Sequence, residues 1–424
     1  MWMLVLQGWR NLRRNLRRSI LTTAMVAVGL TLLIFTYALL QGFVPQMIEG
    51  GARTLNGHIL IQGDGYLRNK QFQTMVEQPK AVEDVLRKDP RIEAWSARLL
   101  ARGILGSAES VRGIKLLGVD FEQDKKIIHL YRKIQKGQTP KASDPKIRAS
   151  RRVVEMMIGY KLARKLKLEV GNKAVLRVGQ WGGGATSVAT RIVGIFKTGS
   201  PGFDGLTAVV TRQDAARFLK TGARVHQFAI RVKDVHKTQA VAAALQAKLK
   251  GSSKPVEVLP WDKFAPEIQA MVEMMKMSIG IMLLFIFPVV LLGCLNTMSM
   301  SVFERTREIG VLKALGTKPR QILTIVCAEA VWIGVIGTTL GLILGGGLSF
   351  YFEATGGLSL RPFMSEDVKM LVSGVALDPV MWVQTTINGF VIPILVVMLS
   401  TIVAALIPAW KASKLPPVEA MRHV

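Results

Sequence analysis

Charge and apolar spacing coincide in one short stretch, Ser301–Ile322, SVFERTREIGVLKALGTKPRQI, which lies between two long apolar runs. Glu304, Arg305, Arg307, Glu308 and Lys313 carry its charge. Ile309, Leu312 and Leu315 recur at near-helical spacing with Val311 beside them. Gly316 supplies a stop and Pro319 restarts the chain in a new direction. These residue types make no covalent chemistry. They suit an amphipathic helix on the inner face of a membrane, able to lie across a soluble partner and pass its push into the bilayer. The same composition also suits a basic loop that only fixes topology. Chemistry of other kinds has no carrier here. The sequence has no G-x-x-x-x-G-K-[ST] phosphate loop, G-x-S-x-G elbow or H-E-x-x-H pair. His58, His129, His226, His236 and His423 lie far apart, and Cys294 and Cys327 both fall in apolar runs. The expectation is a chain that is not an enzyme and binds no cofactor or metal itself.

The elements that must position this stretch are membrane spans. Of 424 residues, 50% are hydrophobic, which suggests a few spans joined to a large water-exposed domain. Four windows lack charge for long enough to cross a bilayer: Ile20–Val44, Met277–Phe303, Ile322–Phe352 and Val380–Trp410. Before the first, Trp2, Val5, Leu6, Trp9, Leu12 and Leu16 form a helical stripe, with Arg10, Arg13, Arg14, Arg17 and Arg18 off it. That pattern predicts an interfacial helix and an uncleaved anchor. The basic N-terminus and the basic short loop place both chain ends inside. The short outer loop is acidic, with Glu353, Glu366, Asp367 and Asp378 against Arg361 and Lys369.

Net charge is +27, from 56 Lys+Arg and 29 Asp+Glu. Most of the excess lies between residues 45 and 271, with roughly 40 basic and 20 acidic residues, and long domains translocate regardless of charge. Their outside location excludes nucleic acid as a partner.

The predicted fold is therefore an α-helical membrane domain of four transmembrane helices, N-in and C-in. A large α+β extracytoplasmic domain is inserted between helices one and two. The predicted segments are an interfacial helix (1–18), helix one (19–44), the outer domain (45–271), helix two (272–303) and the inner helix and loop (304–320). Helix three (321–352), a short outer loop (353–379), helix four (380–410) and an inner tail (411–424) follow.

Within the outer domain, strand patterns at His58–Ile61, Ile92–Ala97 and Val111–Val119 flank a helical stretch at Pro79–Lys88. The rhythm returns as Gln227–Val232, Thr238–Leu249 and Val256–Leu259. The two flanks, about 50–120 and 220–260, are expected to close into a ferredoxin-like or split βαβ sheet. Between them, about 121–219, Ala174–Val178, Val188–Phe196 and Leu206–Val210 predict an inserted β-rich subdomain with a hairpin at Gly182–Gly184.

Two further features admit two readings each. The loop Thr198–Gly205, with Ser200, Pro201, Gly202, Phe203 and Asp204 at its centre, is either an ordinary turn or a protruding tip that docks a soluble partner. Met271, Met274, Met275, Met277 and Met282 either pack helices or accommodate acyl chains and varied peptides. Gly334, Gly337, Gly341 and Gly345–Gly347 allow close helix approach. Glu329 is expected to face protein or the inner interface, and Pro288, Asn296, Pro393 and Pro408 are candidate kinks.

The segment Glu304–Gly316, ERTREIGVLKALG, resembles the cytoplasmic motif of FtsX-like, MacB-type ABC transporter permeases. The tail Pro408–Arg422, PAWKASKLPPVEAMR, resembles that family's C-terminal signature. The outer domain is most similar to lipoprotein-releasing permeases of the LolC/LolE type, through Ile158–Lys173, Gly113–Asp120 and Val193–Gly199. Phe121 stands where the family commonly has proline.

The resemblance implies two permease chains, identical or homologous, paired with a separate LolD-like ATPase that uses ATP and Mg. The helix around Glu304–Leu315 would sit in a groove of that ATPase. Spans one and two, with Phe35, Leu39 and the methionines, would receive the acyl chains of a lipoprotein from the membrane lipids. A LolA-like periplasmic carrier would take the lipoprotein, with Thr198–Gly205 as its docking candidate by position. At about 0.8 kcal/mol per buried CH₂, extracting several acyl chains costs tens of kcal/mol, hence the need for ATP and a waiting acceptor. A MacB-like efflux permease and an FtsX-like mechanical regulator of cell-wall hydrolases are the alternatives. The first normally carries or accompanies other modules, and the second usually has a smaller outer domain.

Overall fold

The computed structural model describes residues 10, 16–51, 57–69, 72–128, 130–143, 153–250, 255–363, 370–372, 375–377, 379–414 and 416. Most of the expected interfacial helix, His129, His423 and most of the tail beyond Lys414 lie outside the described residues. The chain divides into two compact units: Met1–Val44, Glu273–Leu360 and Val380–Val424 form a helical one, Pro45–Val272 and Arg361–Pro379 an α+β one.

The strands of the α+β unit are β1 (Ile59–Gly63), β2 (Ile92–Gly106), β3 (Val111–Val119), β4 (Ile134–Gly137) and β5 (Val154–Gly159). They continue as β6 (Lys173–Gly179), β7 (Ala185–Phe196), β8 (Thr207–Thr211), β9 (Gln227–Val232) and β10 (Val256–Pro260). All belong to one ten-stranded sheet in the order β10-β1-β9-β2-β3-β8-β5-β7-β4, with β6 bridging β2 and β7. The first four strands of that order pair antiparallel. Helices α1 (Pro79–Lys88) and α2 (Thr238–Leu249) join them in sequence as β1-α1-β2 and β9-α2-β10, a ferredoxin-like arrangement. Helix α1 starts on Pro79, where a missing N–H costs nothing, and ends on Arg87 and Lys88, which suit its dipole. Its Val82 and Leu86, one turn apart, pack with Val241 and Leu245 of α2 onto Ile59, Ile61, Phe228 and Ile230.

The second half closes on itself. β2 pairs with β3, β3 with β8, β8 with β5, β5 with β7, β7 with β6, and β6 returns to β2. Strand β6 alternates strictly between exposed and buried residues, the pattern of a strand with one wet face. Leu105, Leu116, Met156, Ile158, Leu176 and Ile192 of the ring share one apolar cluster. This closure moves the expected edge of the β-rich part. The ring draws in β2 and β3, which precede residue 121, because β2 is 15 residues long. Its first half lies beside β9 and its second beside β3 and β6.

Two buried polar side chains fasten these layers. Arg98 on β2 is fully buried, and its Nε donates to Asp124 Oδ1 at 2.8 Å. His226 is also fully buried; its Nδ1 accepts from the Leu100 N–H at 3.1 Å and its Nε2 donates to the Phe72 carbonyl at 3.0 Å. Burial pushes the His226 imidazole down to about 4, with the Phe72 bond opposing weakly. In the unfolded chain this ring takes a proton near pH 6.5, whereas the folded site refuses it until about 4. Stability from this group is therefore fully present above pH 6.5 and lost as pH falls towards 4, by about 3 kcal/mol. Asn at position 226 should flatten that part of the pH–stability curve. An NMR titration showing the His226 ring protonating near its unfolded value would contradict the assignment.

Among the described residues, four helices are long and apolar enough to cross a membrane. These are α3 (Leu16–Gly51), α4 (Pro266–Glu304), α5 (Pro319–Ala354) and α6 (Ile387–Lys414). Helices α4 and α6 run without interruption through Pro288, Pro393 and Pro408. At 36, 39, 36 and 28 residues, all four exceed the roughly 20 residues that a hydrocarbon core requires. The fourth begins later than the apolar window from Val380. Val380–Met381 instead pairs with Leu358–Ser359, and the Gln384 N–H donates to the Ala38 carbonyl at 3.0 Å. Backbone committed to these contacts cannot also begin a helix.

The glycines of α5 meet two neighbours. A Cβ on Gly341 would stand 2.8 Å from the Ala27 carbonyl oxygen and from Leu30 Cβ of α3. On Gly334 it would stand 2.9 Å from Thr401 Oγ1 of α6, while on Gly347 it would meet nothing within 4 Å. Gly341→Val should therefore destabilise the helical unit by about 1–3 kcal/mol, and Gly347→Ala should not. Melting of the detergent-solubilised chain checks both.

Candidate functional site

The polar segment folds as two helices meeting at a break. Helix α4 ends at Glu304, Arg305 adopts a non-helical φ of −109° and ψ of 14°, and α7 (Thr306–Ala314) follows. The end of α7 is a Schellman motif. Gly316, at φ +92°, donates to the Lys313 carbonyl at 3.0 Å, and Thr317 to the Leu312 carbonyl at 3.0 Å. A side chain with a Cβ would be strained at that φ.

The apolar stripe read along this segment does not share one face. Ile309 is buried against Val302, Ile322, Val326, Ala409 and Ala412, drawn from α4, α5 and α6. Leu312 is half-buried, while Val311 is 45% and Leu315 79% exposed. Val311 and Leu315, one turn apart, point away from Ile309 because two residues advance a helix by roughly 200°. Glu308 and Arg307 are exposed beside them. The segment thus has one apolar anchor inward and a second apolar pair outward.

Each charged residue at the break reaches a different helix. Glu304 pairs with Arg18 of α3. The Arg305 guanidinium donates to Glu329 Oε2 on α5 at 2.9 Å, and Ser301 Oγ donates to Glu329 Oε1 at 3.1 Å. At the other end of α7, Lys313 Nζ donates to the Ser413 carbonyl of α6 at 2.9 Å. Ser301, Arg305 and Glu329 are buried and line a cleft with the half-buried Leu312 and Ile325 and the exposed Glu308. The sequence marks Glu329 as a carboxylate needing protein around it, but not its partner. The separation of 24 positions between Arg305 and Glu329 hides the pairing.

The candidate lipid residues differ in exposure. Phe35 of α3 lies 5.6 Å from Phe352 of α5, ring to ring, and Leu39 is half-buried. Met282 is half-buried and packs against the helical core with Val290, Cys294 and Ile333. Met274 and Met277 are 56% and 66% exposed, and Met271 and Met275 are half-buried.

The loop Thr198–Gly205 also differs from its sequence picture. Pro201–Leu206 forms a short helix rather than a flexible tip. Asp204 is buried; it accepts from the Thr198 N–H at 3.0 Å, Thr198 Oγ1 at 2.6 Å and the Gly199 N–H at 3.2 Å. Phe203, at the centre of the candidate tip, lies 5.7 Å from Phe196 and packs into the apolar cluster there. Ser200 is buried too, whereas Pro201 and Gly202 are exposed. The exposed apolar residue is Leu206, at 44%. An aspartate with backbone donors within reach folds such a turn inward, and that in turn directs its neighbours.

Two family models match the chain: the MacB-like periplasmic core domain over residues 19–248 and the FtsX-like permease C-terminal over 280–417. Among curated proteins, LolC, the lipoprotein-releasing system transmembrane protein of Xylella fastidiosa (strain Temecula1), is 24% identical, covering 97% of this chain and 96% of LolC. LolC of Neisseria meningitidis serogroup B is also 24% identical, covering 99% of this chain and all of that protein. The macrolide export ATP-binding/permease protein MacB of Campylobacter fetus is 28% identical over 54% of this chain and 33% of its own length. With the MacB-like core spanning more than half its residues and the FtsX-like segment behind it, the chain belongs to the FtsX-like, MacB-type family of ABC transporter permeases.

Proposed function

We propose that this chain is the permease of a lipoprotein-releasing transporter in a bacterial inner membrane. The observation that carries the proposal is the end-to-end match to LolC, against a match to MacB confined to about half the chain. In this reading both chain ends and the α7 segment lie inside, and the α+β unit lies outside between spans one and two. A separate LolD-like ATPase hydrolyses ATP with Mg and grips α7 through Val311 and Leu315. A second permease chain, identical or homologous, completes the membrane part. Acyl chains of the lipoprotein enter from the membrane lipids along α3 and α4, near Leu39, Met274 and Met277. A LolA-like carrier accepts the cargo outside, with Pro201, Gly202 and Leu206 as the accessible part of the docking candidate.

The charge distribution supports this orientation, since Arg305, Arg307, Lys313, Lys318 and Arg320 fall in the short connection and mark it as inner. The test is purification from native membranes followed by addition of ATP and a periplasmic extract. The expected result is a co-purifying ATPase and an acylated protein that moves to the soluble fraction only when both are added. ATP-driven export of a soluble drug or peptide, with no acylated protein released, would replace this reading with the MacB-like one.

A further inference from the structure

We propose that Glu329 is a positioning residue, which locks the break at Arg305 to α5 so that force on α7 moves the spanning helices together. The inference rests on the reading of α7 as the segment that receives the ATPase. Three observations converge on it. Arg305 is the single non-helical residue between α4 and α7, and a joint there would flex. Glu329 closes that joint from another helix, and each of its carboxylate oxygens is occupied, one by Arg305 and one by Ser301. Both members of the pair are buried, which strengthens their attraction relative to a pair in open water.

The far end of α7 is fixed separately, by Lys313 on the Ser413 carbonyl. Ile309 lies between the two polar ties, in an apolar cluster shared with α4, α5 and α6. A short helix held at both ends and in the middle moves as one piece. Without the Glu329 tie, the residue between α4 and α7 becomes a hinge, and displacement of α7 is absorbed there instead of reaching α5. A buried carboxylate that must be paired in this way is costly to place, which argues for use beyond packing.

The test uses the full permease with its ATPase in lipid nanodiscs. Glu329→Gln should lower the amount of cargo released per ATP hydrolysed at least tenfold. Exchange of the charges, Arg305→Glu with Glu329→Arg, should restore at least a third of it. The apolar pair Arg305→Met with Glu329→Leu removes both charges without stranding one, so it should fold normally yet stay uncoupled. Full coupling in the apolar pair would show a packing role only and overturn the proposal, as would full coupling in Glu329→Gln.

A second measurement is independent of cargo. Spin labels at Ala314→Cys on α7 and Val335→Cys on α5, with Cys294 and Cys327 replaced by alanine, report the helix-to-helix distance. That distance should be single and narrow in the parent and broad in Glu329→Gln. A narrow distance in both would overturn the proposal even if no lipoprotein were ever released, whereas absent release with the expected broadening would remove only the cargo assignment.

Discussion

Leu315→Asp is expected to abolish capture of the ATPase subunit, with a loss of affinity of at least about a hundredfold, while the permease still inserts and folds. Leu315 is 79% exposed at the end of α7, and Val311 one turn before it is 45% exposed. A leucine this open on a polar segment gains nothing from its own fold, so replacing it should leave stability within about 0.5 kcal/mol. In a complex the same position would be desolvated, and a carboxylate there would be stranded without a partner. Val311→Asp should behave alike. Ile309→Asp is the contrasting change, because it puts charge into the cluster with Ile322 and Ala409 and should damage the permease itself. Co-purification and melting temperature separate the two effects. Normal ATPase capture by both Leu315→Asp and Val311→Asp would move the docking surface off this face.

The largest stability effect is expected at Arg98. Arg98→Met should cost about 3–5 kcal/mol, because Asp124 would be left buried with its charge uncompensated. Adding Asp124→Leu should recover most of the loss, since two apolar residues avoid the desolvation that a lone carboxylate suffers. Trp95 offers a local probe, its ring 6.0 Å from Phe228 on the neighbouring strand β9. Unfolding followed by tryptophan fluorescence should show the single variant giving way first. Equal stability of the two variants would mean that Asp124 finds another partner once Arg98 is gone.

Much of the local structure is legible in the chain. Pro79 with Val82 and Leu86 marks a helix, Lys173–Gly179 alternates like a strand, and three glycines mark the β6–β7 turn. The polar segment between two apolar runs is visible as well, as is its stop at Gly316. What local pattern does not carry is pairing at long range. Nothing in Ile92–Gly106 states that its two halves serve different neighbours, and nothing in β6 states that it returns to β2. The same limit hides the Arg305–Glu329 pair. Periodicity also misleads where apolar residues serve two masters. Ile309 and Leu315 look alike in sequence, yet one is drawn into the helical core and the other is left open. At Phe203 the ring is large enough to seek Phe196, and the buried Asp204 turns the backbone so that Leu206 takes the outer position.

The closed ring of β2, β3, β8, β5, β7 and β6 has a consequence for recognition. A ring of paired strands offers no unpaired backbone along its circumference, so an incoming peptide cannot extend it by adding a strand. Among the described residues the remaining sheet ends at β10, which finishes on Pro260, and at β4, which is four residues long. Neither is a good template for strand addition. A soluble protein engaging this ten-stranded sheet must then be gripped by side chains, so its binding should respond to surface point changes and to salt more than to its own propensity for extended structure.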